Sequence, residues 1–158
     1  MLKARSGKKD KQFVVQLVGQ VDDQADIANE IGNLPDGPYE MHINCAQISR
    51  INSIGVKGWI KYFAALAEKR VPLFFYDCSP CIVQQMNLVF NFGCGGKVIS
   101  MQLPFSCEDG DHSFIMTFTV ADIRRMNYDI PDQKCPKGEG TASFDDLPKV
   151  YFKFLMKN

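Results

Sequence analysis

Between Phe13 and Leu103 the chain alternates short apolar runs with longer stretches whose apolar residues recur at helical spacing. Phe13 to Val18 is apolar and β-rich. Met41, Ile43 and Cys45 alternate with His42 and Asn44, and Val71 to Tyr76 is too short for a helix and rich in aromatics. Lys97 to Leu103 sets Ile99, Met101 and Leu103 on one side, so all four runs read as strands. Between them, Ile27, Ala28, Ile31 and Leu34 share one helix face. Val56, Trp59, Ile60, Phe63, Leu66 and Ala67 share another, on a helix running to about Arg70. Ile82, Val83, Met86, Val89 and Phe90 point inward from a third, which starts at Ser79. Strands alternating with helices need crossover connections, which lay the strands parallel in one sheet. The expected class is α/β: a mixed, largely parallel sheet flanked by helices, with a small C-terminal β-rich extension.

Local signals punctuate this order. Asp22 or Asp23 caps the first helix, and Pro35-Asp36-Gly37-Pro38 ends it. Ser79-Pro80 suits a helix start, and Gly93, Gly95 and Gly96 suit a stop. The junction at Asn52-Ser53-Ile54-Gly55-Val56 carries the most chemistry. The second strand continues through Ile48 and Ile51 to Asn52, which places Asn52 and Ser53 at the N-terminus of the longest amphipathic helix. Backbone N–H groups there lack intrahelical partners and the macrodipole is positive, so a side-chain oxygen is stabilising, as a phosphate would be. Two readings stand: Asn52 or Ser53 caps the helix, or Ser53 is a regulated, partner-facing serine.

Strand, polar pair, Gly and helix in this order resemble the central signature of the STAS family, the anti-sigma factor antagonist type domains of bacterial signalling proteins. In that family an Asp-Ser-x-Gly-Leu-like segment opens a helix and its Ser is phosphorylated by a partner kinase. The resemblance makes Ser53 the phosphorylation candidate, with Gly55 and Val56 matching the Gly and the aliphatic residue. Asn52 departs from the usual Asp. Gly19-Gln20-Val21-Asp22 resembles the family's Gly-x-x-Asp turn, which implies a short antiparallel strand near Gly19 to Asp22. The resemblance covers residues 12–103. It implies a non-enzymatic module that docks a protein partner, such as an anti-sigma-factor-like serine kinase, through Asp22, Asn52, Ser53, Ile54, Gly55 and Val56.

Residues 104–158 form the extension. Phe114, Met116, Phe118 and Val120 alternate with Ile115, Thr117 and Thr119 as in a strand, Asn127 to Ser143 reads as an irregular loop, and Tyr151 to Leu155 is a last apolar segment. The ending Phe144-Asp145-Asp146-Leu147-Pro148-Lys149-Val150-Tyr151-Phe152-Lys153-Phe154-Leu155 resembles that of a zinc-ribbon-like extension in some delta-proteobacterial STAS-related proteins. Its Cys-x-x-Cys knuckles are altered here to Cys107-Glu108-Asp109-Gly110 and Cys135-Pro136-Lys137-Gly138. A structural zinc takes four ligands, and Cys107, Cys135 and His112 are three; Asp109 or Asp111 would have to complete the set. A metal-free relic without cofactor is expected, with Cys107 and Cys135 close enough for a disulfide under oxidising conditions if the relic keeps its geometry.

Composition narrows the function classes. Eighteen basic residues balance 18 acidic ones in a chain of 158, which argues against nucleic-acid binding through bulk electrostatics. No apolar run approaches the roughly 18 residues of a membrane span, and no signal-peptide core is evident. A cytoplasmic protein without membrane contact is expected, its six cysteines reduced. Residues 1–11 carry Lys3, Arg5, Lys8, Lys9 and Lys11 with little that is apolar, and read as a flexible basic tail. His42 and His112 lack the partners of a catalytic constellation, and Trp59 reads as core. Cys78-Ser79-Pro80-Cys81 has redox spacing at a strand-to-helix junction, so a thiol-active protein is the rival reading. A scaffold of the same fold without a phosphorylation switch is a further one.

Overall fold

The computed structural model describes residues 1–157. Its first sheet holds β1 (Lys3–Lys9), β2 (Gln12–Val21), β3 (Glu40–Ile51), β4 (Leu73–Tyr76) and β5 (Lys97–Val98), in that spatial order. Strands β2 to β5 run parallel, and β1 pairs antiparallel with β2. The crossovers carry α1 (Ile27–Ile31), α2 (Ser53–Glu68) and α3 (Pro80–Leu88). The alternation in the sequence thus builds the mixed, largely parallel α/β sheet it predicts. Phe13, Val15, Leu17, Met41, Ile43, Cys45, Leu73 and Phe75 are buried with Trp59, Phe63 and Leu66 of α2 and Ile82 and Val83 of α3. Trp59 stacks on Phe92 at 5.0 Å and its indole N–H donates to the Phe92 carbonyl at 3.1 Å. The alternate residues Val14, His42, Phe74 and Tyr76 stay outside this core.

The N-terminal segment is a correction. Residues 1–11 contain strand β1, paired from Lys3 opposite Val18 to Lys9 opposite Gln12, and Leu2 is buried. Backbone pairing holds this edge strand while nearly all its side chains face solvent, so its sequence carries no apolar period. The antiparallel strand expected near Gly19 to Asp22 does not form. Gln20 and Val21 instead continue β2 beside Arg50 and Ile51, past a register shift at Gly19, whose φ of 118° few other residues adopt. Helix α1 is capped by Asp26, which accepts the Asn29 N–H at 3.1 Å, and not by Asp22 or Asp23; it ends before Leu34.

The second sheet comprises β6 (Ser100–Cys107), β7 (Ser113–Thr119), β8 (Gln133–Lys134) and β9 (Thr141–Phe144), antiparallel in the order β7-β6-β9-β8. The single strand expected over Lys97 to Leu103 is therefore two strands in different sheets, and a boundary at 103/104 falls inside β6. Ser100 joins the sheets: its hydroxyl donates to Asp77 Oδ1 at 2.7 Å and accepts the Asp77 N–H at 2.8 Å. The expected irregular loop from Asn127 to Ser143 includes β8 and most of β9.

Three short helices were also not expected: α4 (Val120–Arg125), α5 (Pro148–Tyr151) and α6 (Lys153–Met156). Val120 opens α4 instead of ending β7, and Thr119 caps it by accepting the Asp122 N–H at 3.1 Å. Asn87 ties α5 and α6 to α3, donating to the Tyr151 carbonyl and accepting the Phe154 N–H, each at 2.9 Å. Phe90, expected to point inward, is 97% exposed because α3 ends at Leu88 and Val89 turns extended. Among the described residues no helix is long and apolar enough to cross a membrane.

Candidate functional site

The junction between β3 and α2 sits at the carboxyl end of the parallel strands, where open α/β sheets present their loops. Asn52 anchors it. Its N–H donates to the Val21 carbonyl at 3.2 Å, its carbonyl accepts the Val56 N–H at 2.8 Å, and its side chain accepts the Gly55 N–H at 2.8 Å. Asn52 is therefore the cap, and Ser53 is not. Ser53 is the first helical residue, exposed, and its hydroxyl makes no hydrogen bond among the described residues.

Gly55 fixes the distance to the neighbouring strand. It is buried, and a Cβ at this position would fall on the Val21 carbonyl oxygen, so only glycine lets α2 approach β2 this closely. Asp22 follows directly, and its carboxylate accepts the Gln24 N–H at 3.0 Å to shape the loop into α1. Ile54 beside Ser53 is 56% exposed. Val56 packs half-buried against the core and contributes support, not surface.

Between the β2–α1 loop and α2 runs a groove of about 670 Å³. Asp22, Asp23 and Asp26 line one side, and Ile54, Lys57, Lys61 and Tyr62 the other. The structure so gathers Asp22, Ile54 and Gly55 along one groove, with Asn52 and Ser53 at the start of the helix that forms its wall. Lys57 and Lys61 are additions that the sequence reading missed, although Ile54, Lys57, Gly58 and Lys61 lie at helical spacing and share a face. A phosphoryl group on Ser53 would sit at the positive end of a helix of 16 residues, one residue before Ile54 of the groove.

The Cys78 and Cys81 pair is placed differently. Both thiols are free; Cys78 is wholly buried and Cys81 partly so. Burial pushes the Cys81 thiol up from its ordinary pKa, against hydrogen bonds from Ser79 and the backbone that draw it down. Its sulfur lies 3.4 Å from both the Ile48 carbonyl and the Ser79 hydroxyl. Cys45 nearby is raised well above the ordinary value, first by burial and then by Cys78. Helix N-termini can acidify thiols, but burial prevails at Cys81.

The expectation of six reduced thiols is corrected at the second sheet. Cys107 and Cys135 form a disulfide with a Cα–Cα separation of 5.6 Å, which leaves Cys45, Cys78, Cys81 and Cys94 free. His112 Nδ1 lies 2.7 Å from Asp109 Oδ2 close to this pair. The backbone N–H of Asp111 and then the His112 side chain hold the Asp109 carboxyl below its ordinary range. His42 takes no part in this cluster: it lies on β3 of the first sheet, between Tyr76 at 2.7 Å and Glu40 at 3.1 Å.

These features define a two-sheet α/β protein with an unengaged serine at a helix start, a charged groove beside it, and a cysteine-histidine-aspartate cluster between two hairpin loops. Compared with known proteins, the chain matches no family model and finds no significant match among curated proteins.

Proposed function

We propose that the chain is a non-enzymatic regulatory module of the STAS type, which docks a signalling protein through the surface around Ser53 and is switched by phosphorylation there. The observation that carries this reading is the division of labour between Asn52 and Ser53. Asn52 closes the helix alone, so the Ser53 hydroxyl is exposed and free of structural duty. A serine in that state is open to a kinase, and a helix N-terminus accepts the product without unfolding. The phosphoryl group would add about two negative charges to a surface already bearing Asp22, Asp23 and Asp26. A partner docked over Ile54 with acidic groups toward Lys57 and Lys61 would then be repelled. The partner class is an anti-sigma-factor-like serine kinase.

The test compares native, Ser53→Ala and Ser53→Asp chains in calorimetric titrations with such a kinase at two salt concentrations, with circular dichroism as a check on folding. Binding is expected to survive Ser53→Ala and to weaken with Ser53→Asp, by less as salt rises, because exposed charges are screened over about 8–10 Å at ordinary ionic strength. Equal affinities for all three chains would remove Ser53 from the interface and reduce the module to a scaffold.

A further inference from the structure

The loops that carry Cys107 and Cys135 are built alike. Cys107 is the last residue of β6, and its N–H donates to the His112 carbonyl at 2.9 Å, closing the loop Glu108 to Asp111. Cys135 follows β8, and its N–H donates to the Gly140 carbonyl at 3.1 Å, closing the loop Pro136 to Glu139. Pairing of β9 with both β6 and β8 sets the two loops side by side, and the Glu108 N–H bonds the Thr141 carbonyl at 2.9 Å across the gap. Both cysteines are almost fully buried at the loop bases, Cys107 at 4% and Cys135 at 2% exposure.

Two more donors lie over them. Donor atoms of Asp109, His112 and Cys135 all fall within 4.8 Å of one another, and Cys107 reaches the group through Cys135. Asp109 Oδ1 accepts the Asp111 N–H at 2.9 Å and the His112 N–H at 3.2 Å, which fixes the carboxylate with its second oxygen toward the imidazole. Gly138 of the facing loop comes over the cluster: a side chain begun there would touch both Asp109 Oδ2 and Cys135 Sγ. Tetrahedral zinc with thiolate sulfur at about 2.3 Å and nitrogen or oxygen at about 2.0–2.2 Å holds its donors roughly 3.3–3.8 Å apart. Here His112 Nδ1 and Asp109 Oδ2, 2.7 Å apart, must part slightly, and Cys135 Sγ, within 4.8 Å of both, must draw closer; Cys107 Sγ joins the set once reduction lets the two sulfurs separate. Two thiolates with an imidazole favour zinc over calcium or magnesium, which prefer all-oxygen sites.

The geometry points to a redox-gated zinc site made by Cys107, Cys135, His112 and Asp109, closed by the disulfide and opened by its reduction. It departs from the expected metal-free relic, since Asp109 and His112 supply the two ligands that the knuckles lack. The balance of the step is simple. A dithiol reductant gives two electrons and two protons to the Cys107–Cys135 bond, leaving as its own disulfide and yielding two thiols. Zinc then displaces the two thiol protons and binds both sulfurs. Disulfide and metal exclude each other, and either one holds the same two loops together across 28 residues of chain.

The experiment uses the full chain, reduced with a dithiol, freed of metal with a chelator, and titrated anaerobically with cobalt(II) and then zinc(II). Expected is a tetrahedral cobalt spectrum with a thiolate charge-transfer band, saturating near one equivalent and bleached by zinc, while the oxidised chain gives neither. The double variant Cys107→Ser/Cys135→Ser should lose the charge-transfer band. His112→Ala, at a half-exposed position where the fold tolerates truncation, should keep a thiolate band but weaken cobalt binding by at least about tenfold, the cost already typical of losing an outer-shell partner. The proposal is overturned if the reduced native chain shows no thiolate band. It is equally overturned if the band persists in the double variant, which would place the metal on the other four cysteines, or if His112→Ala binds cobalt as tightly as the native chain.

Discussion

The Asn52 side chain accepts the Gly55 N–H at 2.8 Å, and that one bond releases Ser53 from any part in holding α2 in place. Asn52→Ala should therefore destabilise the fold by about 1 kcal/mol, as loss of a cap does. Ser53→Ala should stay within about 0.5 kcal/mol of native. Urea unfolding of the two variants checks the order; the reverse order would make Ser53 the structural residue.

Two glycines one helical turn apart should respond with opposite signs. Gly55→Ala sets a methyl against the Val21 carbonyl, where backbone on both sides must move, and should cost about 3 kcal/mol. Gly58→Ala meets nothing within 4 Å on the exposed side of the same helix and should stabilise by about 0.5–1 kcal/mol. Thermal unfolding distinguishes them directly.

Tyr62 gives a pH dependence. Its hydroxyl is buried without a hydrogen-bond partner among the described residues. Burial, with a smaller contribution from Tyr39, pushes its pKa from 10.0 up to about 12. The folded chain therefore holds this proton more tightly than the unfolded chain does. The stability linked to it is intact below pH 10 and declines as pH rises from about 10 through 12. Tyr62→Phe should flatten that alkaline decline and, by removing an unsatisfied hydroxyl, stabilise the neutral fold by about 1 kcal/mol. Melting temperatures measured across the alkaline range for both chains decide it.

Cys78 and Cys81 should behave as structural thiols. Cys78→Ser buries a hydroxyl at a wholly enclosed position and should cost about 1–3 kcal/mol, whereas Cys81→Ser should cost less. The native chain should not accelerate reduction of insulin by a dithiol. Acceleration that disappears in a Cys78→Ser/Cys81→Ser double variant would favour the thiol-active reading over the regulatory one.

The parts of the fold legible in the sequence are those whose side chains divide cleanly between core and solvent. Strand β3 shows a period of two because Met41, Ile43 and Cys45 are buried and His42 and Asn44 are not. Helix α2 shows its period because Trp59, Phe63 and Leu66 line one face. Strand β1 was hidden because an edge strand with solvent on most of its side chains has no such division. Helices of four to six residues, as α4, α5 and α6 are, end before a helical period can declare itself. At the candidate site, cap chemistry located Asn52 and Ser53 but not which of them caps. That depended on where the strand lets go: Asn52 stays extended with its N–H on the Val21 carbonyl of β2, a long-range bond. The pairing of Asp109 with His112 was equally hidden, since it arises from the turn that joins β6 to β7.

Strand β1 also bears on how separate molecules meet. Among the described residues its outer side has no neighbouring strand, so a row of backbone donors and acceptors is left open to a second chain. Lys3, Arg5, Lys8 and Lys9 stand exposed along that edge, and antiparallel pairing of two such edges would bring cation against cation. Shelf life in dilute buffer is thus protected by local repulsion despite a formal net charge of zero. Concentrated salt, which shortens the screening length to about 3 Å at 1 M, lifts that protection. Salting conditions chosen for crystallisation would favour edge-to-edge pairs of this protein first.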